Sequence, residues 1–238
     1  MAPSPRQRRN QLLGAMPAPV VRRLEQHLHP VELKTRDVIY EPGDRLRHVL
    51  FPQSGVISIV NVMQDGRSIE VGTIGHEGMT GVTALSGVDF VPYRCVVQIP
   101  GTALRIQRAD FIKLVGRDPQ VQHLILRYYI AFTSQLMQSA ACLGLHSVEQ
   151  RCCRWLLSTD DRVESNAFSL SHEFLALMLG TRRTSVSLVM KQLRDCGFIE
   201  YHRGTITIID RAGLAARSCE CYGVVAETFR RFMGTQAG

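Results

Sequence analysis

The chain changes its hydrophobic period near residue 31, after a short amphipathic helical stretch at residues 12–29, and again near residue 109, and these changes limit the folds that it can adopt. From Val31 to about Ile106, short apolar runs are interrupted by turn sequences such as Pro42-Gly43-Asp44 and Asp65-Gly66. Strand-like runs at this spacing, with Asp-Gly as a hairpin turn, predict a β-sandwich or β-roll of about eight short strands. After residue 109, apolar residues recur at helical spacing. The sequence therefore predicts an all-β first half and a mainly helical second half.

The longest helical stretch begins at Asp118-Pro119, where proline is tolerated in the first turn, and has no glycine until Gly144. About 25 residues at 1.5 Å per residue extend roughly 38 Å. Such a helix has more apolar surface than a small sheet covers, and it often pairs with a second copy. We expect a dimerisation helix over 119–145; an ordinary core helix is the alternative. The expected dimerisation residues are Val121, Leu124, Ile125, Tyr128, Phe132 and Leu136.

Composition narrows the class of protein. Hydrophobic residues make up 45% of the 238 residues and charged residues 21%, which is typical of a globular protein. No apolar run approaches the roughly 20 residues of a membrane-spanning helix. The first ten residues lack the apolar core of a secretory signal, so we expect a cytoplasmic protein. The formal net charge of +7 suits a polyanionic partner.

The cysteines and the catalytic motifs indicate what the chain does not carry. Seven cysteines, an odd number without a Cys-x-x-Cys pair, favour reduced, buried thiols. Cys219-x-Cys221 and Cys152-Cys153 do not match structural zinc spacing, so no metal site is predicted. Cys196 directly follows a basic helical segment, and its oxidation to an acid there would repel a polyanionic partner, which is a hypothesis. No catalytic triad, phosphate loop or carboxylate pair stands out, so we predict no enzyme activity.

The segment from Ser171 to Thr207 has the pattern most closely tied to function. Ser171 can cap a short helix that ends at Gly180, a residue suited to a sharp turn. A second helix is predicted from about Arg182 to Asp195. Two helices joined by a glycine turn form a helix-turn-helix, whose second helix enters the major groove of DNA. The strand pair that follows, with a tight turn at 202–205, predicts a wing.

Helical spacing divides the second helix into two faces. Val186, Val189, Met190 and Leu193 share the side expected to pack inward, whereas residues 181–194 hold four basic residues and no acidic one. Arginine can donate two hydrogen bonds to guanine, worth about 1–3 kcal/mol of discrimination. The alternative is a solvated basic face beside a surface hairpin. The expected DNA-binding residues are Ser171, Arg182, Arg183, Thr184, Ser185, Ser187, Leu188, Lys191, His202 and Arg203.

Both halves together resemble the Crp/Fnr family of bacterial transcription regulators over nearly the whole chain. The resemblance is carried by Tyr40-Glu41-Pro42-Gly43-Asp44, Ser54-Gly55-Val56-Ile57, Ile74-Gly75 and the segment 168–208. It implies an α+β fold in three parts. These are a cyclic-nucleotide-binding-like sensory β-roll at 1–118, the dimerisation helix at 119–145, and a winged helix-turn-helix domain with a helical tail at 146–238.

The resemblance also implies roles at matching positions. Arg183 matches the family's base-reading arginine, Ser171, Ser185 and Lys191 match positions that hold phosphates, and His202 matches the wing contact. Thr184 stands where the family commonly has glutamate. Leu188 stands where it has a second arginine or a serine, and leucine can read a thymine methyl group. The family's usual half-site is therefore not implied for this chain.

An effector site in the β-roll is a further implication, and it falls on Gly81, Val82, Arg94 and Cys95. Relatives that bind cyclic AMP have a Gly-Glu pair for the ribose and an Arg followed by Ser or Thr for the phosphate. Here Met79-Thr80-Gly81-Val82 puts an apolar residue at the glutamate position. A phosphate needs a charge-assisted donor at a fixed place. We expect cyclic AMP binding to be absent or weak, predict no cofactor, and leave the effector unknown.

Two functions from different classes are compatible with these patterns. The first is a homodimeric transcription regulator that reads a palindromic operator in double-stranded DNA, with RNA polymerase as a further candidate partner. Its affinity for DNA should fall steeply with salt. The second is a ligand-binding or redox-sensing module that acts through protein partners, for which salt should matter little.

Overall fold

A computed structural model describes residues 10–163, 167–202 and 204–233, and its contacts divide the chain into two compact units. Of the described residues, the first unit contains 10–59, Thr73–Thr133 and 228–233. The second contains Val60–Gly72 and Ser134–Glu227. The predicted boundaries at residues 118 and 145 lie at the two ends of one helix, Pro119–Leu145, which contributes residues to both units.

Seven strands form the predicted β-roll, close to the expected eight. Two short helices, α1 (Gln11–Gly14) and α2 (Ala18–Glu25), precede it. The strands are β1 (His29–Leu33), β2 (Val38–Tyr40), β3 (His48–Pro52), β4 (Val56–Val62), β5 (Ser68–Ile74), β6 (Arg94–Ile99) and β7 (Gly101–Gln107). One sheet has the strand order β1-β7-β3 and the other β2-β6-β4-β5.

The strands of the roll are strongly apolar because some of them are covered on both faces. The first five residues of β4 are all buried, so both faces of this strand are covered rather than one. Ser58 is the polar member of this run, and its hydroxyl donates to Oε1 of Gln98 at 2.6 Å, which satisfies both buried groups. Phe51 packs edge-on against Phe111, with ring centroids 5.9 Å apart. Gly55 allows the close approach of the chain, because a Cβ there would lie 2.6 Å from the carbonyl oxygen of Ile99.

The roll is followed by α3 (Arg108–Val115) and by the predicted long helix, α4 (Pro119–Leu145). Oδ1 of Asp118 accepts hydrogen bonds from the backbone N–H groups of Gln120 and Val121, at 3.1 and 3.2 Å, and so caps the first turn. Tyr128 is fully buried in the first unit, where its hydroxyl donates to the carbonyl oxygen of Met79 at 3.1 Å. Its ring also packs against Phe132 and Phe229.

The residues predicted for the dimer seam need correction. Leu136 is half-buried, and the other five already pack within the chain, so they cannot also form an open seam. The opposite face of α4 is exposed, and Leu126 and Met137 on it are 54% and 69% accessible. Its residues step by four and three, the heptad spacing of a two-stranded supercoil. This seam face consists of Leu126, Ile130, Thr133, Met137, Ala140 and Gly144.

The second unit continues after α4 with helices and a small antiparallel sheet, in which Thr205–Ile208 lies between Ala167–Ser169 and Ile199–His202. The first helix begins with a capping box, in which Ser147 and Gln150 bond each other's backbone N–H groups. The elements are α5 (Val148–Asp160), β8 (Ala167–Ser169), α6 (His172–Met178), α7 (Arg183–Asp195), β9 (Ile199–His202), β10 (Thr205–Ile208), α8 (Arg211–Arg217) and α9 (Cys221–Met233). No helix in the described part of the chain is long and apolar enough to cross a membrane.

Candidate nucleic-acid interface

Helices α6 and α7 form the predicted helix-turn-helix. Oγ of Ser171 accepts from the backbone N–H of Phe174 at 3.1 Å and caps α6. The turn is made by Gly180, whose φ of +58° is the left-handed conformation that glycine adopts at little cost. The buried Arg151 on α5 donates to the carbonyl oxygen of Leu179 at 2.8 Å, which places a positive charge at the C-terminus of α6. These contacts fix the angle at which α7 leaves the turn.

The two faces of α7 are arranged as predicted from helical spacing. Val186, Val189, Met190 and Leu193 are buried. The opposite side is exposed along the whole helix, and Leu188 on it is 59% accessible. The exposed predicted DNA-binding residues here are Arg182, Arg183, Thr184, Leu188 and Lys191, whereas Ser185 is half-buried.

Arg183 is held loosely in the free protein. Its Nε lies 3.4 Å from Oε1 of Glu173 on α6, and the two side chains are 66% and 68% exposed. An ion pair this exposed contributes little stability, because water and salt screen it. Arg183 can therefore exchange Glu173 for a nucleic-acid acceptor at small cost.

Ser187 does not lie as predicted. It is half-buried, and its hydroxyl is 3.0 Å from Nδ1 of His172, so it is engaged with α6 and not directed at solvent. The ring of His172 in turn stacks on Tyr201 of β9, with centroids 4.8 Å apart. Burial lowers the pKa of His172, and the positive charge of Arg183 lowers it further. We therefore assign Ser187 to the support of α7 and not to base contact.

The wing is formed by strands β9 and β10, which pair from Thr205 and His202 to Ile208 and Ile199. His202 is exposed at the end of β9, as a backbone contact requires. Arg203 lies outside the described residues. The backbone N–H of Leu170, just before α6, donates to the carbonyl oxygen of Gly204 at 2.8 Å and so joins the wing to the helix-turn-helix.

The predicted effector positions are placed differently from one another. Gly81, with φ +64°, precedes a 3-10 turn that begins at Val82, and Val82 and Cys95 are buried in the core. Arg94 is not free, since its Nε and Nη2 each donate to the carboxylate of Glu41 at 2.8 Å. The only one of the four that could hold a phosphate is therefore already neutralised by an acidic partner.

A cluster of potential metal ligands lies elsewhere in the second unit. Donor atoms of Cys142, His146, Cys219 and Cys221 all lie within 4.8 Å of one another. Burial raises the pKa of Cys142, and it raises the pKa of Cys219 to about 12. This cluster was not predicted, although the Cys-x-x-x-His spacing of Cys142 and His146 at the end of a predicted helix was a usable signal.

These elements define a winged helix-turn-helix DNA-binding protein with an amino-terminal β-roll. Comparison with family models agrees with both parts: residues 30–118 match the cyclic nucleotide-binding domain, and residues 150–217 match the Crp-like helix-turn-helix domain. The two matches together cover more than half of the chain. The chain belongs to the Crp/Fnr family and is a DNA-binding transcription regulator.

Individual relatives are distant but nearly as long as the chain. The global nitrogen regulator of Nostoc sp. is 24% identical over 210 residues, which are 84% of this chain and 89% of that protein. The CRP-like protein Clp of Xanthomonas oryzae pv. oryzae is 22% identical over 206 residues, and the match covers 82% of this chain and 90% of that protein. The structure of FixK2 from Bradyrhizobium japonicum matches with a TM-score of 0.69 at 18% identity, over 81% of this chain and 98% of that one. This last likeness establishes the fold.

Proposed function

We propose that the regulator acts as a homodimer that reads a two-fold symmetric DNA site, with one α7 in the major groove of each half-site. The observation that carries this proposal is the exposed face of α7, where Arg182, Arg183 and Lys191 project from a helix whose other face is buried. The N-terminal end of a recognition helix approaches the bases most closely. The two arginines are at that end, and Lys191 lies two turns further on, where phosphates run.

The seam face of α4 supports the dimer. It is apolar or small at every heptad position from Leu126 to Gly144, and none of its residues is charged. A second copy of the same helix is its fitting occupant, since identical heptads interlock along a two-fold axis. Dimers of this kind place their recognition helices about one DNA turn, roughly 34–36 Å, apart.

The base preference should differ from that of relatives with a glutamate and a second arginine on this helix. Leu188 projects into the space where a base edge would lie, and it has no hydrogen-bonding group. Apolar contact with a thymine methyl group is the readout available to it. We therefore propose a half-site in which a thymine lies next to the guanine read by Arg183.

Selection of bound fragments from random or genomic duplex DNA with the purified full chain tests this function. We expect an inverted repeat with half-site centres about 10 base pairs apart. The affinity for that site should fall steeply between 50 and 200 mM salt, about 10³–10⁵-fold if 6–10 phosphates are contacted. No enriched symmetric site, together with weak salt dependence, would instead favour a module that acts through protein partners.

We also propose that cyclic AMP is not the effector, because Arg94 is bonded to Glu41 and the side chain of Val82 cannot accept a hydrogen bond from a ribose hydroxyl. A ligand at 100 times its Kd adds about 2.7 kcal/mol to the stability of the folded state. The melting temperature should therefore stay constant as cyclic AMP is added to millimolar concentration. A rise in melting temperature that is abolished by Arg94→Gln would contradict this proposal. The effector itself is not assigned.

A cytoplasmic location and contact with RNA polymerase belong to the same proposal. A regulator that binds the bacterial chromosome acts in the cytoplasm, where promoter-bound polymerase lies within its reach. Whether binding activates or represses depends on the position of the site relative to the promoter, which the fragment selection will also give.

A further inference from the structure

Four side chains that have no part in DNA reading meet where the end of α4 faces the junction of α8 and α9. Cys142 lies in the last turn of α4 and His146 directly follows that helix, where its backbone N–H donates to the carbonyl oxygen of Cys142 at 3.1 Å. Cys219 and Cys221 come from the junction. The three cysteines are buried and form a small cluster of their own. Cys142 and His146 are four residues apart and so share one side of the helix end. The Cys219-x-Cys221 turn faces that side, and the four donor atoms therefore meet.

The distances between the donors suit a single ion. The Sγ atoms of Cys142 and Cys219 are 3.5 Å apart, and so are Sγ of Cys221 and Nδ1 of His146. Ligands at tetrahedral angles on one zinc ion, with Zn–S of about 2.3 Å and Zn–N of about 2.0–2.1 Å, are separated by roughly 3.5–3.8 Å. The side chains therefore need only small shifts to enclose an ion.

The groups that contact His146 and Cys221 are of the kind that support a metal-binding histidine and a thiolate. Nε2 of His146 lies 3.1 Å from Oε2 of Glu220, which fixes the ring and leaves Nδ1 facing the cysteines. A carboxylate on the far nitrogen is the usual support of a ligating histidine. Nε2 of Gln138 donates to Sγ of Cys221 at 3.0 Å, as it would to a thiolate.

Charge balance points the same way. Three thiolates, a neutral imidazole and Zn²⁺ carry a net charge of −1. Arg154 on α5 acts electrostatically on Cys142, and its buried Nε has no hydrogen-bond partner among the described residues. A positive charge near three neutral thiols gains nothing from them, whereas near an anionic metal site it is attracted to the site.

Other interpretations account for less. A disulfide requires sulfur atoms about 2.05 Å apart and would use two of the four residues. It would not explain why His146 and Glu220 lie beside the cysteines. An iron–sulfur cluster spreads its ligands over several iron atoms, farther apart than the 4.8 Å within which all four donors lie. Inert core cysteines explain the burial but not the convergence of His146 and Glu220.

We propose that Cys142, His146, Cys219 and Cys221 bind one zinc ion in a closed, structural Cys₃His site that fastens the end of α4 to the α8–α9 junction. This departs from the expectation of no metal, which was based on local spacing alone. All four positions of a tetrahedral ion are occupied by protein, so the site has no open position for catalysis. Its role is to stabilise the second unit, because binding to the folded state adds to folding free energy.

The test uses the full chain, purified under reducing conditions without chelator or histidine tag. Elemental analysis should find one zinc per chain, and X-ray absorption at the zinc edge should find three sulfur ligands and one nitrogen ligand. Cys219→Ser and Cys221→Ser should lose the metal. Cys153→Ser, a buried thiol outside the cluster, and Cys196→Ser, an exposed one, should keep it. Removal of zinc by a chelator should lower the melting temperature, and added zinc should restore it.

The absorption measurement needs only the unmodified chain, so a variant that fails to fold does not weaken the test. Folded protein that holds no metal after anaerobic incubation with zinc would overturn the proposal. A ligand set without three sulfurs, iron with acid-labile sulfide in place of zinc, or a Cys142–Cys219 disulfide in metal-free protein would do the same.

Discussion

Replacement of Arg183 and Lys191 together by alanine is expected to weaken binding to the selected operator by at least about 30-fold. Arg183 would lose a two-bond contact with guanine worth about 1–3 kcal/mol in each half-site, so a dimer loses about 2–6 kcal/mol from this residue alone. Lys191 contributes a phosphate contact, and its loss should lower the slope of log affinity against log salt by about one for each half-site.

The measurement is a titration of labelled operator and of scrambled duplex at several salt concentrations. Arg22→Ala with Lys34→Ala is a matched control, because it removes one exposed arginine and one exposed lysine from the first unit. The control should retain nearly full operator affinity. Equal losses in the two double variants would mean that only net charge matters, and an unchanged affinity in Arg183→Ala/Lys191→Ala would refute the assignment of α7.

The second large effect is expected from aspartate on the seam face, in Leu126→Asp/Met137→Asp. Two carboxylates per helix would meet their copies across the two-fold axis, and burying these like charges without partners is strongly unfavourable. Light scattering should find a chain of 26.7 kDa in place of twice that mass. Operator affinity should fall by about 10²–10⁴, since the second half-site no longer binds as part of the same molecule.

Ile209→Asp is the matched control for this prediction. Ile209 is 55% exposed, similar to Leu126, but it lies outside α4. It should leave the mass and the operator affinity unchanged. In contrast, Phe132→Asp should unfold the first unit, because Phe132 is buried against Tyr128. A Leu126→Asp/Met137→Asp protein that is still dimeric would show that the seam face is not the interface.

Sequence patterns were sufficient where one face of an element is apolar and the other is polar. Val186, Val189, Met190 and Leu193 on α7 are buried as helical spacing predicted. Helix α4 is apolar on both faces, so spacing alone could not tell which side packs within the chain and which side is open. Strand β8 was missed because three residues, Ala167–Ser169, are too few to display a period.

Residue spacing could not predict which side chains bond to one another, or which residues far apart in the sequence meet in the fold. Ser187 has the right position on α7 for a base contact, but its hydroxyl bonds to His172 fifteen residues earlier in the chain. Cys142 and Cys219 are 77 residues apart, so no local motif joins them. Both features arise from the packing of separate elements, and only coordinates place such residues side by side.

The packing of the end of α9 within the first unit matters for exchanging DNA specificity between regulators. Phe229, near the end of α9, packs its ring against Tyr128 of α4, with centroids 6.4 Å apart. A chimaera that takes all residues after 145 from another regulator would replace Phe229 with a residue from that regulator. A new recognition domain should therefore be inserted with two junctions, the second near residue 228. This chain then keeps its own end of α9, which carries Phe229.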